Sequence, residues 1–228
     1  MISQVKQRMF KKVMWMISVL IVIIISIFVA FKVKSSFIKQ PSLSELKNIN
    51  CRVEYRFKDQ DKYNKKYCNV ENLSDLEKNS QLILNVCVIG DGDPVAYSLR
   101  RKCKIINVIK GDIKDEIIYI YEPSYIWATK YCSEQGYLAM ENDKEYIVFL
   151  KGIENSEHAS KKELSDGYTF TNPAFSKYSL GTKATLVQND YTDKKIYYNE
   201  VSSLPVFFNE QKYVDLYNEI LSEIEKSY

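Results

Sequence analysis

The stretch from Val13 to Phe31 holds nineteen residues without a charge, apolar apart from Ser18 and Ser26, and Lys6, Arg8, Lys11 and Lys12 stand just before it. As a helix rising about 1.5 Å per residue it reaches roughly 28 Å, close to the hydrocarbon thickness of a bilayer. Lipid offers backbone groups no partners, so helix is the single-segment solution and the β-branched residues of the run are no objection. Residues 13–31 are therefore expected to be a transmembrane helix, with Trp15 at its cytoplasmic interface. Lys32, Lys34 and Lys39 follow the run, fewer than the cations before it. The positive-inside rule then makes residues 1–12 a cytoplasmic arm and places the rest of the chain outside. A cleaved signal peptide has a shorter apolar core and a small-x-small site, and Cys51 has no lipobox before it. The expectation is an uncleaved signal-anchor in a cell membrane.

Removing that segment changes the electrostatics of what remains. Residues 1–39 hold seven Lys/Arg and no acid; subtracting them from 32 leaves 25 bases against 29 acids, a net of −4. A mildly acidic outer part lacks the surface that counterion release rewards, so nucleic acid is not an expected partner. About 190 residues suffice for one domain with its own core.

Five cysteines outside the anchor cannot all pair within one chain. Cys51 and Cys68 bracket a polar, irregular stretch and are the expected disulfide, worth on the order of 3 kcal/mol in the chain-entropy model. Cys87 and Cys103 fall inside strand-like runs, where a small buried hydrophobe is an equal reading. Cys132 is left over in a loop. No CxxC or Cys/His spacing suggests zinc, and no cofactor or metal is expected.

Along the chain, residues 32–72 read as a stalk or lead-in, with Ser42 and Glu45 forming a capping box before a two-turn helix. Ser74 and Glu77 make a second box opening a turn over 73–78. Strands are expected over 81–89, 96–109 and 116–121, with a turn through Asp91-Gly92-Asp93-Pro94 and a tight hairpin at Lys110-Gly111-Asp112. Residues 122–136 read as a loop, and the five apolar residues from Tyr146 to Leu150 as a strand buried on both faces. Short runs at 168–170, 184–188 and 195–198 suggest further strands. Asn209 is placed to cap a C-terminal amphipathic helix, with Tyr213, Leu216, Tyr217, Ile220, Leu221 and Ile224 on one stripe expected to pack on the domain.

Residues 73 to about 150 carry a recurring order of parts: the capped turn Leu73 to Ser80, the strand Leu82 to Gly90, Val108-Ile109-Lys110-Gly111-Asp112, a strand from Glu116 to Tyr121, and Asp143-Lys144-Glu145-Tyr146-Ile147-Val148-Phe149-Leu150. This order resembles exported bacterial domains, of Gram-positive type, with an OB-like barrel related to the tissue inhibitors of metalloproteinases. The resemblance implies a mainly β fold: an OB-like β-barrel over 73–206, between the transmembrane helix and a C-terminal helix over 207–228. It implies positions that are structural: Gly111 in a turn with positive φ, and Tyr146 to Leu150 filling the barrel. Inhibitors of that fold bind the protease zinc through an N-terminal cysteine and its amine. Cys51 is internal to an anchored chain, so inhibition does not carry over.

Few residues here have the pattern of chemistry. A thiol enzyme would need Cys132 activated by the only histidine, His158, yet only Lys130 lies near Cys132 in sequence and His158 sits in a polar loop. Asp91 and Asp93 fall short of the six to eight oxygens that calcium takes. Tyr168, Phe170, Phe175 and Tyr178 could line a barrel surface but suit a core equally. The expectation is a non-enzymatic, extracytoplasmic binding or interaction module at the cell envelope, with a membrane and an envelope protein as partners. The alternatives are a thiol enzyme using Cys132 and His158, and an accessory subunit docking through the Tyr213 to Ile224 stripe.

Overall fold

Alternation of apolar and polar residues along β2 to β4 builds a sheet, and its closure decides the architecture. The computed structural model describes residues 2–36, 41–56, 70–95, 97–153, 167–187 and 195–228, with side chains at 12 and 14–30 inside the first helix. It divides into two units, residues 1–39 and 40–228. The first holds one helix, α1 (Ile2–Ser36). Fourteen large apolar side chains between Met14 and Val29 are exposed along it, from 39% at Val19 to 71% at Trp15. Among the described residues no helix is long and apolar enough to cross a membrane. The described side chains form a run of seventeen, and the ends of the sequence run, Val13 and Phe31, lie outside them.

The second unit opens with α2 (Leu43–Leu46), where the Ser42–Glu45 capping box forms, but over a single turn. Then come β1 (Arg52–Arg56) and α3 (Leu73–Asn79), capped by Asn72 rather than Ser74. Residues expected to form a stalk thus enter the core, through Leu43, Leu46, Cys51 and Val53. The sheet strands are β2 (Leu82–Val95), β3 (Ser98–Lys110), β4 (Ile117–Glu122), β5 (Ser124–Trp127), β6 (Lys130–Glu134), β7 (Glu145–Gly152), β8 (Gly167–Phe170) and β9 (Lys177–Tyr178). After them come β10 (Thr185–Leu186), α4 (Tyr198–Val201), β11 (Phe207–Phe208) and α5 (Gln211–Ser227).

The main sheet runs β2-β3-β4-β8-β7-β9, and β7 also pairs with β2. Five strands thereby close on themselves, antiparallel throughout except for the parallel pair β4 and β8. β7 explains why a continuous apolar run was needed. Tyr146, Val148 and Leu150 point into the ring with Leu84, Val86, Ile118 and Ile120, while Ile147 and Phe149 point out under α3 and α5. On α5, Val214, Tyr217, Ile220, Leu221 and Ile224 are buried in that outer layer. The stripe therefore packs on its own domain, although Tyr213 stays exposed and Glu210, not Asn209, is the N-cap.

Several local expectations need correction. Asp91 to Pro94 do not turn the chain: β2 continues through them with a register shift between Ile89 and Asp93, and Gly90 and Gly92 take positive φ there. The turn falls at Tyr97 instead. Gly111 has φ 98°, as a hairpin glycine should, but six residues separate β3 from β4 and the connection is not tight. The expected loop 122–136 is the antiparallel pair β5 and β6, with β1 running parallel to β6. Residues 195–198 form no strand; α4 starts at Tyr198.

Candidate functional site

Two charged side chains point inward because strict alternation leaves them no other side. On β3, Leu99, Arg101 and Cys103 face in; on β4, Ile118, Ile120 and Glu122 do. Arg101 and Glu122 are fully buried at one end of the ring, and Lys177 on β9 joins them at 3% exposure. Arg101 Nε lies 3.9 Å from Glu122 Oε2.

What occupies that end is the segment 137–140, which Tyr137 and Met140 seat in the ring core and Leu138 and Ala139 in a second core with α2, β1 and α4. Apart from a bridge between Tyr137 and Val206, it belongs to no ladder. Its backbone groups are buried and must find partners elsewhere. The charged cluster provides them. Arg101 Nη2 donates to Met140 O at 2.9 Å, Lys177 Nζ donates to Leu138 O, and Met140 N donates to Glu122 Oε1 at 2.8 Å. Tyr137 donates its hydroxyl to the same Glu122 oxygen at 2.8 Å, and Ser133 and Tyr131 donate theirs to Tyr137 O.

The charges shift each other accordingly. Burial pushes the Lys177 ammonium down to about 7, against the attraction of Glu122 and with repulsion from Arg101. Burial also raises the Glu122 carboxyl, while Arg101 and Lys177 hold it down. Arg101 and Glu122 bring opposite formal charges to the cluster, and the lowering of Lys177 reduces the charge that must be buried beside them. Lys177 Nζ sits 4.2 Å from the centre of the Tyr137 ring. The arrangement can lock an irregular plug into the mouth of the ring. It offers no route to a substrate, because Arg101, Glu122, Tyr137 and Met140 are each at most 1% exposed.

The residues singled out from sequence are scattered. Cys51 is buried beside β1 with its thiol pushed up to about 11 by burial, and Cys68 lies outside the described residues. His158 lies outside them too. Cys132 stands in β6 with Glu54 and Tyr125 as its strand neighbours. Cys103 faces the ring core opposite Val88, whereas Cys87 pairs with Lys104 on the other side of the sheet. The two therefore point apart. Asp91 accepts from the Ser44 hydroxyl and Asp93 pairs with Arg100 at 2.9 Å, so the two carboxylates serve separate contacts. Phe170, Phe175 and Tyr178 are buried and Tyr168 half-buried, which makes them core. Among the described residues no three His, Cys, Asp or Glu side chains gather as a metal site.

Sequence reading passed over Arg101 and Glu122, although both hold the inward phase of an alternating strand. Lys177 has no such signal, since β9 is two residues long. Compared with family models, curated proteins and solved structures, the chain finds no match.

Proposed function

We propose that the chain is a single-pass membrane protein whose outer domain, an OB-like barrel, acts as a non-enzymatic binding or interaction module outside the cytoplasm. The observation that carries the reading is the exposed apolar surface of α1. Fourteen large apolar side chains stand roughly half exposed along it, and burying them contributes on the order of 15 kcal/mol at about 1 kcal/mol each. A bilayer is the environment that buries such a helix on every side. The excess of cations before the run supports an inward N-terminus.

The closed circuit of five strands supports the OB-like reading. The plugged ring end supports binding on an outer surface over catalysis, since the buried charges there bond the chain's own backbone. Alkaline carbonate extraction of membranes holding the full chain tests the anchor. The protein is expected to stay with the lipid, and protease added outside spheroplasts is expected to cut the domain. Release by carbonate overturns the anchor, and protection from outside protease overturns the orientation.

A further inference from the structure

Among the described residues, the outer domain carries its most exposed aromatic side chains on two neighbouring hairpin tips. Tyr97, at the turn between β2 and β3, is 74% exposed, and Trp127, at the end of β5, is 61% exposed. They belong to one ridge. Tyr97 meets Tyr125 edge to face at 5.3 Å, and Tyr125 and Trp127 share the outward side of β5 because Ser124 and Ile126 are turned in. Residues two apart on a strand are about 6.8 Å apart, so three rings follow one another along the surface. Behind the tip, Lys102 stands exposed on the outward side of β3, next to Arg100, which is bridged to Asp93 at 2.9 Å and lies over the Tyr119 ring at 5.1 Å.

Rings with an apolar body and a polar tip, next to a lysine, have the chemistry that settles at lipid headgroups. The ridge need not bind tightly to do so. Between Phe31, where the apolar run ends, and Pro41 lie residues 32–36 of α1 and then residues 37–40, a link of no more than about 25 Å. A domain held that close to a bilayer meets it at an effective concentration in the millimolar range.

We propose that the Tyr97–Tyr125–Trp127 ridge docks into the headgroup region of the membrane that α1 enters, and so fixes which side of the domain faces outward. The proposal rests on α1 being a membrane anchor. The chain has two tryptophans, so Trp15→Phe leaves Trp127 as the sole tryptophan of the full chain. This variant is reconstituted in phospholipid vesicles with and without lipid spin-labelled near the headgroup. Trp127 emission is expected to fall about twofold with the label, and acrylamide to quench it several-fold less than in detergent, as for an indole at the interface. Adding Tyr97→Ser is expected to restore at least half of the lost emission; Tyr97 is exposed enough for the fold to tolerate the change.

A chain that floats with the vesicles while Trp127 stays unquenched by labelled lipid overturns the ridge and leaves the anchor standing. Shielding from acrylamide without quenching by lipid points to a second copy or another protein on the ridge, and also overturns the proposal. Quenching that Tyr97→Ser does not change reduces the contact to Trp127 alone and overturns the ridge as a unit. A chain that fails to float overturns anchor and ridge together.

Discussion

Replacing Lys177 by methionine should make the protein more stable at neutral pH, with an advantage that disappears as the solution becomes alkaline. Burial lowers the Lys177 ammonium from 10.5 to about 7. Between those values the unfolded chain holds a proton that the folded chain has released, so unfolding takes up a proton and stability rises with pH, by about 1.4 kcal/mol per unit. The wild-type protein thus bears a cost of roughly 4 to 5 kcal/mol at pH 7 that fades toward pH 10.5. Methionine fills similar volume without it. The variant loses the donation to Leu138 O, and leaving that carbonyl bare costs about 1 to 3 kcal/mol. The balance is a gain of roughly 2 kcal/mol at pH 7 that vanishes by about pH 9.5.

Urea titrations of the full chain in detergent, followed by near-ultraviolet circular dichroism at half-unit steps from pH 6.5 to 9.5, read this directly. The difference between variant and wild type isolates Lys177, because groups that titrate in both, such as the Cys51 and Cys103 thiols lifted to about 11 and about 12 by burial, cancel. Stability curves that run parallel across this window would refute the assignment of a neutral, buried lysine.

Gly92→Ala should destabilise by about 2 kcal/mol or more in the same assay, since Gly92 has φ +83° and a Cβ there would meet Arg101 Cδ at 2.8 Å and Nη1 at 2.9 Å. A loss below about 0.5 kcal/mol would mean that Arg101 moves aside freely. Asn72→Ala removes the side-chain oxygen that accepts from Asp75 N, and should cost about 1 kcal/mol, whereas Ser74→Ala should cost little. Mass spectrometry after brief alkylation at pH 8 should find Cys103 unmodified in the folded chain and modified in urea, because burial both screens the thiol and raises it to about 12.

The parts legible in the sequence were those written in local periodicity. Tyr146 to Leu150 had to be buried on both sides, and the stripe on α5 had to face a core; both are so. The turn at Asp91-Gly92-Asp93-Pro94 failed because a strand can absorb glycines with positive φ as a bulge when a second strand holds it, and Arg100 on β3 holds Asp93. The β5 and β6 hairpin was hidden for a related reason. Its strands are four and five residues long, and β6 gains its place from β1, more than seventy residues earlier in the chain. The charged cluster was half legible: Arg101 and Glu122 break an otherwise apolar phase, while the partners that justify them lie on segments far away in sequence.

Closure of the ring also sets an order in time. Leu82 pairs with Leu150, and β8 enters only at Gly167, so a chain appearing from its N-terminus presents β2, β3 and β4 as an open meander until β7 arrives. Over that interval the β7-facing edge of β2 and the β8-facing edge of β4 lack their partners, and such edges invite pairing with other chains. Contacts this distant in sequence form slowly. If α1 holds the nascent protein at a membrane, neighbours are confined to a surface while those edges wait, and the vulnerable period of this molecule belongs to its synthesis more than to its folded life.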